Sequence, residues 1–92
     1  MTERELAGAV RDLAKLFGWL RYHSWTSVHS PAGFPDEILV RGSRLVVAEL
    51  KSASGRLTQA QELWLGAFRA VPSAEVFVWR PADVEEIARI LR

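Results

Sequence analysis

The chain contains no cysteine. That excludes disulfides and any thiolate metal site, and it fits a cytosolic protein. No apolar run approaches the length of a membrane span, and the N-terminus lacks a signal-peptide pattern, so no membrane partner is expected. The formal net charge is only +1, which sets the chain apart from highly basic nucleic-acid binders. Repeats, low-complexity tracts and linkers are missing too, so residues 1–92 read as one domain with one modest core. A core that small gains from self-association. Several chemistries lack their parts. No nucleophile elbow surrounds any Ser, which argues against Ser-His-Asp hydrolysis. His23 and His29 fall on a strand and a loop, a poor basis for a zinc site. No Gly-rich phosphate loop precedes a helix, and no small-molecule cofactor is implied.

What is present is concentrated between Gly33 and Lys51. Residues 36–41 and 44–51 are rich in Ile, Leu and Val and read as strands. Gly42-Ser43 between them suits a two-residue type II′ turn. The register then follows by counting: Arg41 faces Arg44, Val40 faces Leu45, Ile38 faces Val47, and Asp36 faces Glu49. The last is a non-hydrogen-bonded pair, where α-carbons approach to roughly 4.5 Å. Alternation places Lys51 on the face of Glu49. Two carboxylates and an ammonium thus share one end of an apolar hairpin. Carboxylates ~4 Å apart repel by about 4 kcal/mol at a partly screened site. Lys51 can offset that, and so can Mg²⁺ or Mn²⁺, which prefer carboxylate oxygens. A half-polar strand end with a surface ion pair accounts for the spacing equally well.

Around the hairpin, helical spacing of Leu6, Val10, Leu13, Ala14 and Phe17 predicts a helix over 2–17. Thr2 and Glu5 form a capping box, and Gly18 stops the helix. That employs Glu5 and leaves Glu3 without such a task, beyond its favourable place in the helix dipole. Residues 19–25 read as an aromatic-rich strand carrying His23, and residues 26–33 as an exposed loop. That loop leads into Asp36, so its hydroxyls are candidates for phosphate oxygens or plain solvation. Residues 58–71 read as a second helix with a stripe of Ala60, Leu63, Trp64, Ala67, Phe68 and Val71. Thr58 and Gln61 make its capping box. Residues 75–80 read as a strand with apolar residues on both faces, expected to be covered on both sides. Asp83 and Glu86 begin a third helix with Val84, Ile87, Ala88 and Leu91 inward. The order helix, three strands, helix, strand, helix predicts a mixed sheet flanked by helices, an α/β (α+β) fold. Four Trp are assigned to core filling. The cations are mostly Arg, suited to bidentate phosphate contacts.

Pro35-Asp36 followed by Glu49-Leu50-Lys51 resembles the PD-(D/E)XK nuclease signature. Gly33-Phe34 before it, Ser54 to Gln61 after it, and Trp64-Leu65 one turn later resemble the VRR-NUC branch in its small stand-alone form from phages and bacteria. The likeness covers nearly the whole chain. It implies a restriction-endonuclease-like αβββαβ core with an extra C-terminal helix. It implies Mg²⁺- or Mn²⁺-dependent hydrolysis of DNA phosphodiesters in a bacterial or phage-infected cell. In that reading Asp36, Glu49 and the Leu50 carbonyl bind metal, and Lys51 positions water or stabilises developing charge. Glu3 resembles the helix acid that completes the metal shell, with Glu5 as runner-up, and Gln61 lies near the catalytic Lys. His23, Ser27, Ser30 and Arg56 become candidates for contacts to DNA. The likeness also suggests branched DNA such as Holliday junctions, cut by a homodimer with two sites. The competing reading is a non-catalytic DNA-binding or assembly module that kept the fold.

Overall fold

The computed structural model describes residues 1–24 and 31–92. In chain order these are α1 (Glu3–Leu16), β1 (Leu20–His23), β2 (Glu37–Arg41), β3 (Arg44–Leu50), α2 (Gln59–Arg69), β4 (Ala74–Trp79), a 3-10 turn (Pro81–Asp83) and α3 (Val84–Leu91). The strands form one mixed sheet in the order β1-β2-β3-β4. β2 pairs antiparallel with β1 and with β3, and β4 runs parallel to β3 after the α2 crossover. The expected mixed α/β architecture is therefore present. Among the described residues no helix is long and apolar enough to cross a membrane.

The β2–β3 register is the counted one: Arg41 pairs with Arg44, Val40 with Leu45, Ile38 with Val47 and Glu37 with Ala48. Gly42 alone in the turn has positive φ, +59°, as a type II′ turn requires at its first central residue. Alternation then sorts β3. Val46, Ala48 and Leu50 pack with Leu6, Val10 and Ala14 of α1 and Ile87 and Leu91 of α3. Val47 and Glu49 lie on the opposite face, toward α2. Fully burying a Leu or Val contributes about 1.5–3 kcal/mol, so this two-helix face is the main stabilising layer.

The turn end of the hairpin is locked to two helix C-termini. Arg41 Nη1 donates to Phe17 O at 3.0 Å and Leu91 O at 2.9 Å, and Arg44 Nη2 donates to Ile90 O at 3.1 Å. Both guanidiniums lie over the Trp19 ring, 4.6 and 4.9 Å from its centroid. Cations there satisfy orphan carbonyls and oppose the negative ends of the helix dipoles. With one end fixed, the other end carries Asp36 and Glu49.

Several expectations change. Trp19 is not in β1. It sits in the core and donates from Nε1 to Leu91 O at 2.8 Å. The predicted end of that strand at Trp25 lies outside the described residues. The α2 stripe is shifted. Leu63, at 74% exposure, and Val71, at 44%, face outward, as does Ala67, whereas Leu65 is fully buried. Gln61, which bonds to Glu49, and Leu65 one turn later share the inner face, beside the half-buried Ala60, Trp64 and Phe68. Asp83 stands at the N-cap of α3 as expected, but its side chain makes no capping bond to that helix. Its carboxylate accepts from the Arg80 N–H at 2.8 Å and closes the 3-10 turn instead. β4 is an edge strand, and apart from the buried Trp79 its residues are half-buried rather than covered on both sides.

Candidate active site

Asp36 stands immediately before β2, where the register continues to Glu49. It is held from both sides. Its Oδ2 accepts from the Leu50 N–H at 2.8 Å, and its carbonyl accepts from the Ser24 N–H at 3.0 Å. The approach to it is fixed by Gly33, with φ +83°. A Cβ on Gly33 would lie 2.4 Å from the Ala60 carbonyl carbon and 2.6 Å from the Gln61 nitrogen. Only glycine lets this segment touch the first turn of α2. Phe34 then packs edge-on against Trp64, with centroids 5.1 Å apart, and against Phe68 at 6.2 Å. The Gly33-Phe34-Pro35 run is therefore a clamp that delivers Asp36.

Glu49 is 2% exposed. Its Oε1 accepts from Gln61 Nε2 at 2.8 Å. Its Oε2 is buried and has no donor among the described residues. Beside it is the Asp36 carboxylate, another acceptor, so only a shared proton or a cation can join the two. Burial first, then the Asp36 charge and hydrogen bonding to Asp36, push the Glu49 carboxyl up to about 8, with Lys51 pulling the other way. Lys51 is half-buried just beyond β3, and among the described residues no ion pair joins it to either carboxylate. It acts on Glu49 through its field rather than by contact. The loop that follows is braced by Arg80, whose Nη1 donates to Ser52 O and Gly55 O, each at 2.7 Å.

The capping role expected of Gln61 is present, and its amide also reaches Glu49. Its Oε1 accepts from the Thr58 N–H at 2.9 Å, completing the capping box, while Nε2 holds Glu49. Glu5 is the capping acid of α1: its Oε1 accepts from the Thr2 N–H at 2.8 Å, and that bond lowers its pKa. Glu3 instead lines a cleft of about 600 Å³ together with Asp36, Leu50, His23 and Ser24. The two helix acids are thereby separated by position. Arg56 is exposed on the loop after Lys51. Ser27 and Ser30 lie outside the described residues.

Glu37 received no role from its sequence, yet it is fully buried on the α1 face. Arg21 grips it with Nε at 2.7 Å and Nη2 at 2.9 Å, and His23 Nδ1 sits 2.6 Å from its Oε2. Arg21 and His23 alternate on β1, and His23 pairs with Glu37 across the ladder. That alternation was the available signal. A buried carboxylate costs several kcal/mol of desolvation unless paired, and this one has two partners.

Among the described residues no group of three or more His, Cys, Asp or Glu side chains is placed to hold a metal. Asp36 and Glu49 form a pair. That suits Mg²⁺, which keeps several waters and commonly takes one or two carboxylates plus substrate phosphate. The orphaned Glu49 Oε2 and the raised Glu49 carboxyl are both what a divalent cation would relieve. No family model, curated protein or solved structure matches the chain.

Proposed function

We propose that this chain is a metal-dependent DNA endonuclease of the VRR-NUC kind, with Asp36 and Glu49 holding Mg²⁺ or Mn²⁺. The observation that carries the reading is the buried Glu49 carboxylate beside Asp36, with one oxygen lacking a donor among the described residues. A bound divalent cation supplies a low-pKa water and offsets charge on the scissile phosphate. The chain's own residues do the rest. Asp36 is aimed by the Leu50 N–H, and Glu49 is aimed by Gln61. The Leu50 carbonyl would complete the proposed ligand set, and Glu3, which lines the cleft with Asp36 but is not grouped with both carboxylates, would have to swing in to join it. Lys51, uncommitted to either carboxylate, positions the attacking water or stabilises the developing phosphorane charge. His23 and Arg56, with Ser27 and Ser30, contact DNA phosphates in this reading.

The same reading makes the protein a homodimer acting on branched DNA. Support for self-association comes from the sheet face that α2 leaves open. Leu20 is 76% exposed, Tyr22 56% and Val40 39%, and Leu20 pairs directly with Val40. Incubating the full chain with labelled junction, flap and linear DNAs, with and without Mn²⁺, tests the function. Cleavage only with metal, strongest on junctions, supports it. Binding without cleavage under every condition replaces it with the non-catalytic module.

A further inference from the structure

The cleft that contains Asp36 extends along α1. Besides Glu3, Ser24 and Asp36 it is lined by three arginines, Arg4, Arg11 and Arg21. Arg4 and Arg11 are seven residues apart on one helix face, about 10.5 Å of rise, far enough for their side chains to meet different phosphates of one strand. Arg4 has no ion pair among the described residues. Arg11 pairs with Asp12, but both side chains are well exposed, at 64% and 71%, and such a pair is readily exchanged. Arg21 is fixed by Glu37 and by the Ala7 carbonyl through Nε and Nη2, which leaves its Nη1 donors unused among the described residues.

Between Arg4 and Arg11 the helix presents Ala7 and Gly8 to the cleft. Gly8 is not required by the protein's own packing. A Cβ there would meet only Arg11 Nη2, at 3.7 Å, which is ordinary contact. A glycine inside a helix nevertheless disfavours it relative to alanine. Its effect at this position is to keep the cleft floor low between two arginines.

We infer that this cleft is a phosphate track: Arg4 and Arg11, across the low floor at Gly8 and with Arg21 beneath, bind the backbone phosphates of the DNA strand next to the phosphate at Asp36. The inference rests on the nuclease reading for the identity of the strand, but the track's charge and shape are independent of catalysis. Phosphate contacts set register and affinity without reading sequence. Arginine suits them through its planar fork of donors.

The test measures dissociation constants of the full chain for a labelled DNA duplex in EDTA across a salt series, with no cleavage possible. Arg4→Ala/Arg11→Ala should weaken binding equally for unrelated sequences and reduce the slope of log K against log salt by about 2. Arg69→Ala, on the exposed end of α2, should change neither. Gly8→Gln should raise or preserve the melting temperature, because it improves the helix, yet weaken DNA binding by filling the floor. That combination separates a track from a structural role. Unchanged affinity and slope in the double variant, unchanged affinity in Gly8→Gln, or no DNA binding by the parent chain each overturns the inference. A separate arm with Mn²⁺ reports on the nuclease reading alone. If the parent cuts no DNA but its binding depends on Arg4 and Arg11, the track stands and the catalytic reading falls.

Discussion

Gln61 donates from Nε2 to Glu49 Oε1 at 2.8 Å while its own Oε1 accepts from the Thr58 N–H at 2.9 Å. One side chain thus caps α2 and holds the buried carboxylate, so the start of the helix and the orientation of the site residue are set together. Gln61→Ala should destabilise the metal-free protein by about 1–3 kcal/mol, the usual effect of leaving a buried acceptor unmade. Gln61→Glu keeps the capping acceptor but puts a second charge beside Glu49. It should melt lower than the parent at pH 8 without metal and recover more on adding Mn²⁺. Thermal melts of the three proteins check this, and identical melting throughout would refute the shared role.

The Glu49 carboxyl gives a pH dependence with a definite sign. It is raised from 4.5 to about 8, so between those values the native state holds a proton that the unfolded chain has lost. Stability from this group is full below about pH 4.5 and is lost as pH rises toward 8. The metal-free protein should lose on the order of a few kcal/mol across that window from this group. Glu49→Gln, which cannot ionise, should lose less. Urea melts at pH 5, 6.5 and 8 decide it, and parallel losses in both proteins would contradict the assignment.

How much of this was legible in the sequence depended on whether local or distant chemistry decided a position. The hairpin register was legible because a glycine turn and strict alternation fix it within a few residues. Both capping boxes were legible for the same reason. The α2 stripe was misread because hydrophobicity alone cannot show that a polar Gln61 faces inward to meet a buried acid. Glu37 escaped notice because its partners, Arg21 and His23, are 16 and 14 residues away across the ladder. Trp19 was drawn into a strand by its aromatic neighbours, whereas its real determinants are the Leu91 carbonyl and two arginines from the hairpin turn.

Gly33 is the close-approach point between the Asp36 segment and α2. Gly33→Ala combines a clash at 2.4 Å with a backbone at φ +83°. It should destabilise the fold by about 2 kcal/mol or more, since both overpacking and a disfavoured φ contribute. Cleavage should fall further than the stability loss explains, because Asp36 is displaced. Denaturant midpoints run beside activity at a temperature where the variant is folded separate the two. A variant with parental stability would show that the contact is not tight.

The acids of α1 divide by position. Glu3→Gln should reduce Mn²⁺-dependent cleavage and leave melting nearly unchanged, because Glu3 lines the cleft and is not the capping acid. Glu5→Gln should change little, because Gln also serves a capping box. Loss of cleavage in Glu5→Gln with none in Glu3→Gln would reverse the assignment.

The most direct test of the central claim compares the parent, Asp36→Asn and Lys51→Ala on labelled DNA with millimolar Mn²⁺, each also melted with and without the metal. The parent should cut and be stabilised by Mn²⁺, since a ligand that binds only the folded state raises its stability. Asp36→Asn should lose cleavage and most of the metal-induced stabilisation, and above pH 8, where both carboxylates of the parent are charged, its metal-free form should melt no lower than the parent because that repulsion is relieved. Lys51→Ala should lose cleavage yet keep the stabilisation. No cleavage and no Mn²⁺ effect on the parent, or full activity in Asp36→Asn, would contradict the claim that the Asp36–Glu49 pair is a catalytic metal site.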